Sequence, residues 1–269
     1  MDDQVLAAVV QMNSGADKTA NCAAAGDLIA QAARRGARLV VLPELFNCLA
    51  SSAEMLAAAE PIPGATSTWL GELARTHRIV LVGGSICEAG AAGRAYNSSL
   101  MFGPDGRLLA TYRKLHLFDV DLPGQVTYRE SSWLAAGSRV VVADTAGGRL
   151  GLAICYDLRF GRLFDALIAA GAEVLAIPAA FTAATGRDHW EILIRARAIE
   201  CQAFVLAANQ SGQHTPQFAT WGHSAIVDPW GRVLAQVDEG VGIAVAALDF
   251  TELRAIRARL PALAHRRAF

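Results

Sequence analysis

The sequence predicts an α/β protein built as a four-layer α-β-β-α sandwich of two similar halves. Three observations lead there. Short apolar runs of strand length alternate with stretches of helical spacing. A pattern from the first half of the chain returns in the second. No Pro/Ser-rich or charged stretch marks a linker at the midpoint, so the 269 residues are expected to form one domain.

Val5 to Val10 is an apolar run too short for a helix, typical of a buried strand. Ala16 to Arg35 is alanine-rich with Leu28, Ile29 and Ala32 at helical spacing, and Gly36 follows as a terminator. Arg38 to Leu42 is a second buried strand, stopped by Pro43. Thr66-Ser-Thr68 caps a helix to about His77, Ile79–Val82 and Asn97–Phe102 read as strands, and a turn at Pro104–Arg107 returns through a strand ending at Tyr112. In the second half, Leu150–Ile154 is a strand, Leu163–Ala170 and 188–201 are helices, and 204–208 is a strand. A last helix is expected from an N-cap at Thr251 to about Leu260, followed by an extended basic tail, about 261–269, that leaves the globule or packs on a partner subunit.

The repeat is gap-free at its landmarks. Gly36-Ala-Arg-Leu-Val-Val-Leu-Pro-Glu-Leu-Phe46 aligns with Gly171-Ala-Glu-Val-Leu-Ala-Ile-Pro-Ala-Ala-Phe181. Pro104-Asp-Gly-Arg-Leu-Leu-Ala110 aligns with Pro229-Trp-Gly-Arg-Val-Leu-Ala235, and the offset falls from 135 to 125 residues. The first half therefore carries about ten extra loop residues. Strands this apolar need cover on both faces, which two facing sheets with helices outside provide.

Composition narrows the function. A net charge of −1 offers nothing to nucleic acid or an anionic membrane. The acidic start lacks the basic region of a signal peptide, and no apolar run reaches the length of a spanning helix. Five cysteines without a CxxC pair suggest a reduced, cytoplasmic chain. The six histidines show no metal-ligand spacing, and no phosphate-binding glycine motif is present, so neither metal nor cofactor is expected.

Cys155 follows the strand Leu150–Ile154 and precedes a helix, the place where open α/β sheets hold ligands. An isolated buried cysteine usually packs as a small hydrophobe; company elsewhere changes that reading. Glu44 follows Pro43 and corresponds in the repeat to Ala179, so the strand-Pro-turn structure does not require a carboxylate there. Lys114 sits between Tyr112 and Leu115, an apolar setting for a lysine. A thiol nucleophile needs a base, which Glu44 supplies, and a donor for the oxyanion, which Lys114 supplies with the Tyr156 N–H. The set suits acyl transfer from an amide through a thioester.

The segments Leu42-Pro-Glu-Leu-Phe46, Tyr112-Arg-Lys-Leu-His-Leu-Phe-Asp119 and Ile154-Cys-Tyr-Asp-Leu-Arg-Phe160 resemble the Glu-Lys-Cys signature of the nitrilase superfamily. The resemblance extends to Asp188–Glu200 and Gly222–Gly231. It implies the α-β-β-α fold, carbon–nitrogen hydrolysis and homo-oligomers of at least two chains. Within the superfamily the chain is similar to the Nit branch, which holds deaminated-glutathione amidases and ω-amidases. Pro123-Gly-Gln125 and Arg129-Glu-Ser131 resemble the loop after the lysine in that branch. The resemblance makes Glu130 a second active-site glutamate that positions the lysine and the substrate, and places Arg159, Phe181 and Thr185 against the substrate. A guanidinium at 159 suits an α-keto acid carboxylate. Ala207–His214 resembles the deaminated-glutathione type more than the ω-amidase type. The expected activity is hydrolysis of deaminated glutathione, with α-ketoglutaramate or α-ketosuccinamate as alternative substrates and a non-catalytic scaffold as the reading from another class. Gly161-Arg162 departs from the usual Pro-Glu, which bears on the entry to the next helix and on subunit contacts made there.

Overall fold

The computed structural model describes residues 3–91, 93–122 and 126–267; Pro123-Gly-Gln125 lies outside them. The first half runs β1 (Gln4–Gln11), α1 (Lys18–Arg34), β2 (Leu39–Val41), α2 (Ser52–Ala57), α3 (Ala65–His77) and β3 (Val80–Val82). It continues through β4 (Ile86–Ala89), β5 (Ala95–Phe102), β6 (Leu108–Arg113) and the hairpin β7 (Asp119–Leu122) and β8 (Val126–Arg129). The second half has β9 (Val142–Thr145), β10 (Gly148–Leu152), α4 (Gly161–Ala169), β11 (Val174–Ala179), α5 (Ala183–Cys201) and β12 (Phe204–Asn209). The hairpin β13 (Ser211–Thr215) and β14 (Phe218–Trp221), then β15 (Ala225–Val227), β16 (Val233–Gln236), β17 (Gly242–Asp249) and α6 (Phe250–Arg259) complete it.

The repeat is a repeat of topology. In the first sheet β1, β2 and β3 are parallel neighbours, β5 and β6 follow antiparallel, and β17 flanks β1 antiparallel. In the second sheet β10, β11 and β12 are parallel, β15 and β16 follow antiparallel, and β9 flanks β10 antiparallel. The extra length of the first half precedes α3, in the loop carrying α2, whose capping box is formed by Ser51 and Glu54.

Alternation along β1 shows why these strands are apolar throughout. Val5, Ala7 and Val9 join one core cluster with Leu39 and Val41 and with Leu150 and Leu152 of the other sheet. Ala8 and Val10 turn the other way, to Ile29 and Ala32 of α1 and Leu70 and Ala74 of α3. On the second sheet Gly151 faces α4, where an added Cβ would meet Leu167 at 3.1 Å. Each sheet thus has its sibling on one side and helices on the other.

Several boundaries differ from expectation. Helix α5 begins at Ala183 rather than 188, because Gly186 lets its first turn lie against Trp221, where a Cβ would sit 2.3 Å from the Trp221 Cβ. The strand before Cys155 ends at Leu152, and residues 155–159 form a 3₁₀ turn. Helix α4 starts directly at Gly161. The cap of α6 is Asp249, not Thr251: its carboxylate accepts the N–H groups of Thr251 and Glu252. After α6 the chain does not extend away. It turns at 262–265, the Leu260 carbonyl accepts from Gln202, and Arg266 pairs with Asp165 of α4 at 3.1 Å. The strands β7, β8, β13 and β14 and the flanking strands β9 and β17 have no counterpart in the sequence reading.

Candidate active site

Glu44 lies just past the carboxyl end of β2, and Leu45 after it takes a left-handed conformation, φ +51°. Cys155 stands past the end of β10 and also has positive φ, +46°. Such backbone is costly for residues with a Cβ and persists only where surrounding structure enforces it. Here it aims both side chains into one space. Lys114 follows β6 and reaches the same space, buried to 1% exposure.

Both oxygens of the Glu44 carboxylate accept hydrogen bonds. Its Oε1 accepts from Lys114 Nζ and from Asn97 Nδ2, each at 2.8 Å, and its Oε2 accepts the Ala180 N–H at 2.8 Å. The Cys155 thiol sits beside the same carboxylate, near enough for the Glu44 charge to act on it. Lys114 also donates to Glu130 Oε1 at 3.0 Å, and Glu130 Oε2 accepts the Phe118 N–H at 2.7 Å. Glu44, Lys114, Glu130 and Cys155 are all buried.

Electrostatics follow from that packing. Burial, and then the neighbouring Glu44 charge, push the Cys155 thiol well above the usual cysteine range, with Lys114 pulling the other way. The resting sulfur is therefore protonated. Burial alone would discharge Lys114, but Glu130 and Glu44 outweigh it and hold the ammonium. Burial also raises Glu130 against the pull of Lys114.

Around this cluster is a cavity of about 340 Å³. Leu49, Met55, Phe118, Tyr128 and Phe218 form apolar walls. Arg159, Phe181, Thr185 and Tyr156 also line it. The Arg159 guanidinium lies 5.0 Å from the Phe181 ring centroid and meets His189 Nδ1 at 3.3 Å. Thr185 and Thr182 share a hydroxyl hydrogen bond of 2.9 Å, and the Phe181 N–H donates to Asn209 Oδ1.

Sequence reasoning missed the supports. Asp157, fully buried, accepts from the Ile154 N–H, the Tyr112 hydroxyl and the His116 N–H, tying the turn of Cys155 to the segment after Lys114. Asn97 holds Glu44 from β5, and Ser85 accepts the Leu45 N–H. A signal did exist for Asp157, a carboxylate two residues past the cysteine beside an apolar strand. For Asn97 and Ser85, polar residues among apolar ones, no local pattern names the partner.

Two facing α/β sheets with a buried cysteine, glutamate and lysine in contact at the strand ends are the architecture of a known class of hydrolases. The chain belongs to the carbon-nitrogen hydrolase family, whose model matches residues 6–258. A deaminated glutathione amidase from Synechocystis is 43% identical over 265 residues, covering 97% of each chain. The mouse omega-amidase NIT2 is 40% identical over 261 residues, covering 97% of this chain and 94% of that one. In the crystal structure of Saccharomyces cerevisiae Nit3, a member of branch 10 of the nitrilase superfamily, the fold matches with a TM-score of 0.89 at 34% identity, covering 98% and 97% of the two chains. The four-layer fold and the hydrolase class expected from the sequence are thereby met.

Proposed function

We propose that this chain is a cytoplasmic, homo-oligomeric amidase that hydrolyses deaminated glutathione to 2-oxoglutarate and cysteinylglycine. One observation carries the chemistry: Glu44 bonds Lys114, and both line, together with Cys155, a cavity that also holds Arg159.

Because the thiol is protonated at rest, attack and deprotonation go together. Cys155 Sγ bonds the amide carbonyl carbon as its proton passes to Glu44. The oxyanion that forms is stabilised by the Lys114 ammonium and the Tyr156 N–H. Collapse breaks the C–N bond, and Glu44 returns the proton to the departing amine. Water then attacks the thioester, losing its proton to Glu44, and collapse releases the carboxylic acid and restores the thiol. Glu130 keeps Lys114 charged and in place. Arg159 grips the α-keto acid carboxylate, with Phe181 and Thr185 beside it.

The 43% identity with the Synechocystis deaminated glutathione amidase supports deaminated glutathione as the substrate. Close similarity to the mouse omega-amidase keeps α-ketoglutaramate as the second reading. A parallel assay decides. The expected result is a higher kcat/KM for deaminated glutathione; the reverse order would make the chain an ω-amidase.

A further inference from the structure

Asn97 of β5 is fully buried, and its two halves hold two different members of the site. Its side-chain Nδ2 donates to Glu44 Oε1 at 2.8 Å, while its backbone carbonyl accepts the Lys114 N–H at 2.9 Å. Its Oδ1 is buried without a hydrogen-bond partner among the described residues. A side chain kept for fold stability would satisfy both ends of its amide, since a buried orphan acceptor is unfavourable. This one spends its only side-chain bond on the Glu44 carboxylate.

The consequence is a division of labour between the two carboxylate oxygens. Oε1 takes both the Lys114 ammonium and the Asn97 amide, whereas Oε2 takes only the Ala180 N–H. The lone pair left for a proton is thus on Oε2. Turning the amide over would set Oδ1 against Oε1, two acceptors with no proton between them, so the carboxylate dictates the amide's orientation. We infer that Asn97 is a positioning residue, which selects Oε2 of Glu44 as the oxygen that takes the Cys155 proton. Being neutral, the amide does this without a second cation that would weaken the base further. The inference rests on the reading of Glu44 as the base. The titratable groups facing Glu44 are Lys114, Glu130 and Cys155, with Cys87 of β4 and Tyr128 of β8 also within electrostatic reach.

Removing a donor from a carboxylate raises its pKa. In Asn97→Ala and Asn97→Ser the acid limb of kcat/KM for deaminated glutathione and α-ketoglutaramate should move up by about one pH unit, with kcat falling and KM little changed. A second probe needs no substrate: the rate of Cys155 alkylation by iodoacetamide against pH, read by mass spectrometry, should show the same displaced limb. Glu44→Gln, run alongside, separates the two readings. If Glu44→Gln alkylates and turns over like the parent, Glu44 is not the base and that reading falls. If Glu44→Gln is impaired while folded Asn97 variants keep the parental limb, the assignment of Asn97 is overturned. Failure of both Asn97 variants to fold, judged by thermal melting, would make Asn97 a structural residue and overturn it equally.

Discussion

Glu44 Oε2 accepts the Ala180 N–H at 2.8 Å, joining residues 136 positions apart. In the repeat Glu44 is the counterpart of Ala179, and the Glu44 N–H in turn reaches the Ala179 carbonyl at 3.4 Å. Equivalent strand ends of the two halves therefore meet, and the candidate site lies where they do. The first half brings the carboxylates and the lysine, the second the thiol and a backbone N–H.

Cys155 should be alkylated by iodoacetamide before Cys22, Cys48, Cys87 and Cys201, none of which is in a disulfide. Cys22 is the most exposed of the five, so precedence of Cys155 would report activation rather than access. Substrate should protect it, and Cys155→Ala should be inactive in an ammonia- or amine-release assay. Full activity in that variant would remove the thioester route.

Glu44→Gln keeps size and loses the base, so thioester formation should nearly stop in single-turnover measurements. Lys114→Met should lower kcat on the order of 10²–10³-fold, as loss of an oxyanion donor does. A rise in KM alone would make Lys114 a binding residue. The same substitution leaves Glu44 and Glu130 buried together without a cation, which costs roughly 3–5 kcal/mol in comparable buried pairs. Protonation relieves that repulsion, so the loss of stability should shrink as pH falls below neutral, read from urea midpoints.

Arg159→Lys keeps the charge and loses the planar fork. For deaminated glutathione and α-ketoglutaramate alike, kcat/KM should fall on the order of tenfold to a hundredfold, the value of one charge-assisted hydrogen bond. An amide lacking the carboxylate should hardly change. Equal losses on all three would place Arg159 among the residues that shape the wall, through its stacking on Phe181.

His214 bridges Ser14 O and Thr220 Oγ1, each at 2.7 Å. Burial holds its imidazole below the ordinary value near 6.5, with the Ser14 carbonyl partly opposing. The unfolded chain thus takes up this proton at a higher pH than the folded one. The stability His214 contributes is present above about pH 6.5 and is lost as pH falls through the lower folded value. His214→Gln should flatten that part of the stability-pH curve; an unchanged slope would assign it to other groups.

The sequence by itself determined the layers and the chemical cast. Runs such as Val5–Val10 and Leu150–Leu152 are apolar on both faces, and only a sheet covered on both sides accommodates that. The repeat was visible because equal topologies need the same strand-Pro-turn and hairpin landmarks. Glu44, Lys114 and Cys155 stood out because each was chemically odd for its local setting, and the structure brings all three into contact with one another's neighbours in a single cluster. What only the tertiary structure decided is which groups hold them. Asn97, Asp157 and the Ala180 N–H act across 53, 45 and 136 residues respectively, and hydrogen bonds over such separations have no periodicity to leave in a sequence. Two of the cavity's aromatic residues, Tyr128 and Phe218, come from hairpin strands too short to show an alternation. The same holds for the left-handed φ of Leu45 and Cys155, which neither residue favours by itself.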